Sequence, residues 1–363
     1  MKADALFMAD LSDYPATAKA AEAAGFDGVM SPELAHDPFL PLVSAATTTS
    51  SVDLVTGIAV AFARSPMTVA VTSADIHRLS EGRLVLGLGT QVKAHITRRY
   101  SMEWSRPAVR MREYICALRA IWTAWNEGTP LAFEGEFYRH TLMTPVFDPG
   151  PSPVGDPKIL LAAVGPAMTA VAGEVADGLL LHAFTTPAYA RDVTMPSLQV
   201  GLVRSARDRS DLEVSIPAMA IIADTEEAHE AKTSAARAQL AFYGSTPSYR
   251  PVLAHHGWGA LGEELHRLSK SGDWTTMAGL VDDEVLYAFS VIAETPEAAG
   301  AEIAQRYGSI VDRVQIAFDP ASPDDSARLV AAIRSSVSPE VFERTHCGKP
   351  ALVGTELSGD QEL

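Results

Sequence analysis

Glu33, His36 and Asp37 fall within five residues of one another in the segment Ser31-Pro32-Glu33-Leu34-Ala35-His36-Asp37-Pro38-Phe39. A carboxylate and an imidazole this close can move a proton or hydrogen-bond the edge of a ring, so His36 and Glu33 are the candidate proton carriers. Asp37 also suits the first turn of a following helix, where it would be a cap. Arg64, in Ala63-Arg64-Ser65-Pro66, offers a cation to an anion, or is a surface arginine at a helix start. Gly87-Leu88-Gly89-Thr90 leaves room for a flat ligand, with Gln91, Lys93 and His95 as donors beside it. Val164-Gly165-Pro166-Ala167-Met168 runs from an apolar stretch into a helical one. Bare amides at such a helix start suit a phosphate, and an ordinary strand-to-helix turn reads the same way. His182-Ala183-Phe184-Thr185-Thr186 is a further polar segment of this kind.

These segments share a position. Each follows a short apolar run and precedes an amphipathic stretch, which is the pattern of βα units in a parallel sheet. The apolar runs are 3–9, 26–31, 52–61, 83–89, 158–164, 178–182, 214–223 and 311–318. Helices are expected at 13–24, closing on Gly25, at 39–50, at 66–80, from Pro107 to Gly128, and at 167–176, 187–209, 225–243 and 324–336. Met111, Tyr114, Ile115, Leu118, Ile121, Trp122 and Trp125 keep helical spacing and read as core packing. Eight such units predict a closed (β/α)8 TIM barrel, in which the loops after the strands gather on one face. No glycine-rich G-x-G-x-x-G turn follows the first strand, which argues against a doubly wound dinucleotide-binding sheet.

Three stretches break the rhythm and are expected to be insertions: about 90–106, 129–157 with a hairpin at 133–138, and 244–283 with a helical piece at 261–269. Residues 1–340 then form one barrel domain and 341–363 a C-terminal tail. The insertions carry Trp104, Tyr243, Tyr249, His255, His256 and Trp258, which suit either a lid over the pocket or surface packing.

The bulk composition removes other classes. A net charge of −16 makes a poor nucleic-acid binder. No run of eighteen apolar residues marks a membrane span. Met1-Lys2-Ala3-Asp4 meets an acid at once and reads as the start of a strand, not a secretory signal. Cys116 and Cys347 are far apart, so a reducing, cytoplasmic setting is expected, with no disulfide framework. There is no zinc spacing, nucleophile elbow or Walker loop, so nothing favours a metal site, hydrolysis or phosphoryl transfer.

Several stretches resemble the luciferase-like flavin and deazaflavin superfamily. They are Ala20-Ala21-Glu22-Ala23-Ala24-Gly25-Phe26-Asp27-Gly28-Val29, the third strand with Arg64-Ser65-Pro66, Gly173 to Gly178, and Leu79-Ser80-Glu81-Gly82-Arg83-Leu84-Val85-Leu86-Gly87-Leu88-Gly89, the most specific of them. Glu33 to Phe39 and Gly89 to His95 are most similar to the branch that uses coenzyme F420, a 5-deazaflavin. The resemblance covers residues 1–340. It implies a cis peptide at Gly57-Ile58, with Gly57, Ile58 and Ala59 supporting the back of the cofactor ring. It implies Glu33, His95 and the Gly89-Thr90 turn around the ring, and the cofactor phosphate near Gly165, Pro166, Ala167 and Met168.

By the same resemblance the activity is an F420-dependent oxidoreductase acting by hydride transfer on a small organic substrate. An FMN-dependent monooxygenase is the alternative, and a non-catalytic flavin-binding barrel a third. The resemblance also implies a homodimer. Sugar-phosphate dehydrogenases of this branch have a histidine where this chain has Leu34, which argues against sugar-phosphate oxidation.

Overall fold

The computed structural model describes residues 1–336. The expected tail at 341–363 and Cys347 lie outside the described residues.

Eight parallel strands close into a barrel, as the alternation predicts. They are β1 (Lys2–Leu6), β2 (Gly28–Ser31), β3 (Asp53–Thr56), β4 (Leu84–Gly89), β5 (Lys158–Ala162), β6 (Gly178–Leu180), β7 (Glu213–Pro217) and β8 (Arg313–Ala317). Closure is made by β8 pairing with β1, with Lys2 opposite Arg313 and Leu6 opposite Ala317. The strands read as unbroken apolar runs because both faces are covered. Every residue of β2 and of β4 is buried. One face packs on the helices, through Leu42, Val69, Ile115 and Trp122 among others. The other fills the lumen with Met30, Val55, Val85, Leu160 and Leu180.

The amino-terminal end of the barrel is plugged by charge. Arg313, with a side chain only 1% exposed, lies 3.1 Å from Asp4 and 3.3 Å from Glu213, and also bonds to Asp53. Burial pushes the Asp4 carboxyl up to about 7, against the pull of Arg313. Gly28 is required beside it: a Cβ there would lie 2.4 Å from Asp4 Oδ1. This is the stability face of a barrel, away from the strand mouths.

Four expectations are corrected. The third apolar run is two strands, Asp53–Thr56 and Ala59–Val60, separated at the cis peptide Gly57–Ile58. The run 214–223 is also two: β7 ends at Pro217, and Met219–Ile222 turns aside to pair with Ser290–Ala293, a strand too short to stand out in the sequence. The segment 187–209 is not one helix but Pro187–Tyr189, a wide turn at Ala190–Thr194, then Met195–Arg204. In the stretch 244–283 the expected piece at 261–269 lies within the helix Gly259–Ser271, but Arg250–His255 and Trp274–Gly279 are also helical where the sequence reads as irregular. These helices, together with Glu226–Gly244 and Asp283–Phe289, bury their own apolar cluster around Leu240, Leu253, Leu265, Leu286 and Phe289. That cluster takes in Phe184 and Tyr189 from the segment after β6, so the inserted helices are packed against the barrel mouth.

Candidate functional site

Side chains alternate along a strand, so the residues two beyond the lumen layer rim the mouth. Beyond Val85 these are Gly87 and Gly89, beyond Leu160 Ala162, and beyond Leu180 His182. The glycines are dictated by close approach. A Cβ on Gly87 would sit 1.9 Å from the Thr56 carbonyl oxygen and 2.9 Å from Leu180. One on Gly89 would sit 2.8 Å from Ile58 Cδ1 and 3.6 Å from the Ala162 Cβ. Gly87 therefore lies buried under Thr56 and Leu180, and the partly exposed surface beyond it is a shelf of Ala162 beside the buried Gly89, with Ile58 of the cis peptide at its edge. The peptide is cis at the position the resemblance implies.

Glu33 lies just past β2 and is buried. Its Oε2 accepts from the Val60 amide at 2.7 Å and from Arg64 Nη1 at 2.7 Å, and its Oε1 accepts from the Tyr100 hydroxyl at 2.8 Å. One carboxylate thus ties the loops after β2, β3 and β4 together. Arg64 reaches on to Asp37 Oδ2 at 2.9 Å. Burial works against the Arg64 charge, and the two carboxylates more than restore it. Burial and the Glu33 charge both raise the Tyr100 hydroxyl, which keeps its proton. Every partner of Glu33 is a donor, so the carboxylate is an anchor and not a free proton carrier. Asp37 does cap the next helix, accepting from the amides of Phe39 at 2.8 Å and Leu40 at 3.2 Å.

The remaining expected residues fall in two groups. Ile58 and Gly89 meet at the shelf, whereas Gly57 faces Met30 of the lumen layer and Ala59, paired with Leu88, is fully buried in the helix-side core. Thr90 is turned away from it in part, its hydroxyl donating to the Gln91 carbonyl at 2.9 Å. His36 and His95 are both exposed, and neither imidazole makes a hydrogen bond within the described residues. Gly165 opens the helix Pro166–Val175, and Pro166 takes the first helical position. The Thr169 amide bonds back to the Gly165 carbonyl at 3.1 Å, so the amides of Ala167 and Met168 are the ones left free of helix partners. Nothing lies within 4 Å of where a Gly165 Cβ would be, so this turn is open.

The composition of the mouth on the β6 side was legible only as a polar segment. His182 Nδ1 accepts from the Phe184 amide at 3.0 Å, and Nε2 lies 3.1 Å from the Tyr249 hydroxyl. The His182 and Tyr249 rings stack at 4.4 Å, with Tyr243 edge-on to His182 at 4.9 Å. Burial lowers His182 to about 4 and raises Tyr249 to about 12. Nearby, Thr186 Oγ1 and His256 Nε2 are 2.7 Å apart. They line a cavity of about 640 Å³ that also touches Arg191, Gln305 and Arg306 of the helix Pro296–Tyr307. His256 of the insertion thus lines this cavity, and Tyr249 packs on His182. The signal for this was their aromatic density, which left lid and surface packing equally open.

Comparison with known proteins gives the family. The family model for luciferase-like monooxygenases matches residues 3–313. An uncharacterized protein of Mycobacterium tuberculosis is 51% identical over 324 residues, covering 89% of this chain and 95% of that one. A putative coenzyme F420-dependent oxidoreductase of the same organism is 30% identical over 284 residues, covering 74% and 80%. Among solved structures, the coenzyme F420-dependent tetrahydromethanopterin reductase of Methanopyrus kandleri superposes with a TM-score of 0.72 at 21% identity, over 91% of this chain and 98% of that one. The fold and the full-length match agree: this chain belongs to the luciferase-like monooxygenase family.

Proposed function

We propose that this protein is an F420-dependent oxidoreductase that moves a hydride between the deazaflavin and a small organic substrate. The observation that carries the reading is the shelf of Gly89 and Ala162 with Ile58 at its edge. A planar ring needs a flat floor of small side chains and one wall, and these residues supply both. The open turn at Gly165, with free amides at Ala167 and Met168, suits the cofactor phosphate. Ile58 would back the ring, Gly89 and Thr90 would line its edge, and Gly165 to Met168 would hold the phosphate. When bound, the deazaflavin supplies a ring carbon that takes or gives a hydride and does not activate oxygen. The likeness to relatives named as F420-dependent supports the choice of deazaflavin over FMN.

The protein's own part is orientation. Glu33 fixes the three loops that carry Ile58, Arg64 and Tyr100, so the shelf keeps its shape. With Glu33 tied, His36 is left as the candidate proton carrier beside the mouth, and His95 as a donor on the facing loop. Leu34 is 54% exposed and brings no titratable group, so a histidine-dependent sugar-phosphate oxidation is not part of this reading.

Fluorescence titration of the apoprotein with F420, and in parallel with FMN, tests it. Saturable micromolar binding of F420 alone is the expected result. Preference for FMN would move the protein to the monooxygenase reading, and binding of neither would leave a non-catalytic barrel.

A further inference from the structure

The pair formed by His182 and Tyr249 has a direction. A neutral imidazole carries one proton on its two nitrogens. Nδ1 accepts from the Phe184 amide at 3.0 Å, so the proton is on Nε2. Nε2 is 3.1 Å from Tyr249 Oη and, being protonated, cannot accept from it. The tyrosine hydroxyl is left with its own proton unused. Tyr249 is only partly buried and makes no other side-chain hydrogen bond among the described residues. His182 is two residues beyond lumen-facing Leu180, so its ring sits at the rim of the mouth. The surroundings are Tyr243 and Phe184, at 4.9 Å from His182 and 5.9 Å from Tyr249. None of these four residues takes part in an ion pair.

We propose that Tyr249 is a substrate-binding hydrogen-bond donor, held in that role by His182, and that the substrate presents a neutral carbonyl oxygen to it. One neutral donor among aromatic rings suits an uncharged acceptor. These four residues offer no charge to pair with a carboxylate or phosphate. Flat aromatic walls favour an unsaturated carbonyl compound. His182 is a positioning residue and does not touch the substrate. Burial keeps both groups in the required state, lowering His182 to about 4 and raising Tyr249 to about 12. The carbonyl assignment rests on the oxidoreductase reading, while the direction of the pair does not.

Two measurements on the apoprotein test this without cofactor. In the first, histidine is labelled with nitrogen-15 and His182 is assigned by its loss in H182Q. An unprotonated Nδ1 and a protonated Nε2 at pH 7 are expected, with Nε2 alone moving in Y249F. A protonated Nδ1, or an imidazolium, overturns the proposal, because Tyr249 would then have no free proton. In the second, 2-cyclohexen-1-one is titrated and its carbonyl stretch followed by infrared spectroscopy. A saturable band moved to lower frequency is expected, with affinity falling about tenfold in Y249F and in H182Q, the loss of one hydrogen bond. Circular dichroism confirms that each variant is folded. An unmoved band, no saturation, or equal affinity in folded Y249F overturns the carbonyl assignment. F420 binding alongside such a failure would leave the oxidoreductase reading standing, and its absence alongside success would sink that reading alone.

Discussion

Replacing Glu33 separates its anchoring role from proton transfer. Its carboxylate side chain is 5% exposed and accepts from Val60, Arg64 and Tyr100. In E33A all three donors lose the Glu33 carboxylate, and the Arg64 guanidinium keeps Asp37, whose side chain is 38% exposed, and the Val60 carbonyl at 3.3 Å. Breaking a buried pair by removing one partner costs about 3–5 kcal/mol. The remaining Asp37 contact and the 18% exposure of Arg64 bring the expectation to the lower end, about 3 kcal/mol. At roughly 2 °C per kcal/mol for a chain of this size, thermal denaturation should fall by about 6 °C. E33Q keeps the shape. Its amide oxygen can face Val60 and Arg64 while its amide donates to Tyr100 Oη, so only the charge-assisted part is lost, about 1 kcal/mol. The assay is thermal denaturation by circular dichroism, followed by F420 titration of each folded variant. E33A should weaken F420 binding at least tenfold, and E33Q should retain most of it. Equal stability and affinity in wild type and E33A would refute the anchor. So would E33Q being as damaging as E33A, because a role that needs only acceptor geometry tolerates glutamine.

Further outcomes follow from the same geometry. Asp4 is raised from 3.8 to about 7, so the folded state holds its proton more tightly than the unfolded chain. Its contribution to stability is full below pH 3.8 and is lost as pH rises to about 7, by at most about 4 kcal/mol. Urea denaturation of D4N and wild type at pH 5 and pH 8 should show a smaller loss in D4N; the difference cancels His77 and His182, whose depressed values act oppositely. An identical pH slope in the two proteins would refute an ionising Asp4. Gly89→Val puts a side chain where Ile58 Cδ1 is already 2.8 Å from a Cβ position, and should abolish F420 binding in a protein that still folds. Undiminished binding would remove the shelf from the cofactor site. Light scattering behind size exclusion should give twice the 38.7 kDa chain mass, and a monomer mass would end the homodimer proposal.

The barrel was legible because its strands are covered on both faces. Leu84–Gly89 is buried at every position, so it reads as a solid apolar run whatever the neighbours are. Legibility ended where one run served two structures. Pro217 closes β7, which carries Glu213 and Ser215, and Ala218 sets it off from the wholly apolar Met219–Ile222 that pairs with Ser290–Ala293; a single proline between two strand-like stretches does not reveal that the second changes partner. Of the helices between residues 244 and 283 only the piece at 261–269 was read, and Arg250–His255 and Trp274–Gly279 were missed because they are short and set off by Gly257 and Gly272.

The site followed the same division. Gly89 and Gly165 could be named from local sequence, since each stands at a strand end or turn, whereas Gly57 and Ile58 were named through the family resemblance. Glu33 was named too, but its role was not readable. Tyr100 is 67 residues from it and Arg64 is 31, and only the closed barrel brings three such loops to one carboxylate. His182 and Tyr249 are likewise 67 residues apart. What decides the chemistry is which nitrogen the Phe184 amide occupies, a contact of two residues' reach that acquires meaning only when Tyr249 arrives from the insertion. Residue types at a strand mouth therefore give the inventory of groups, and the partners assembled by closure decide which of them are anchors and which are left to act.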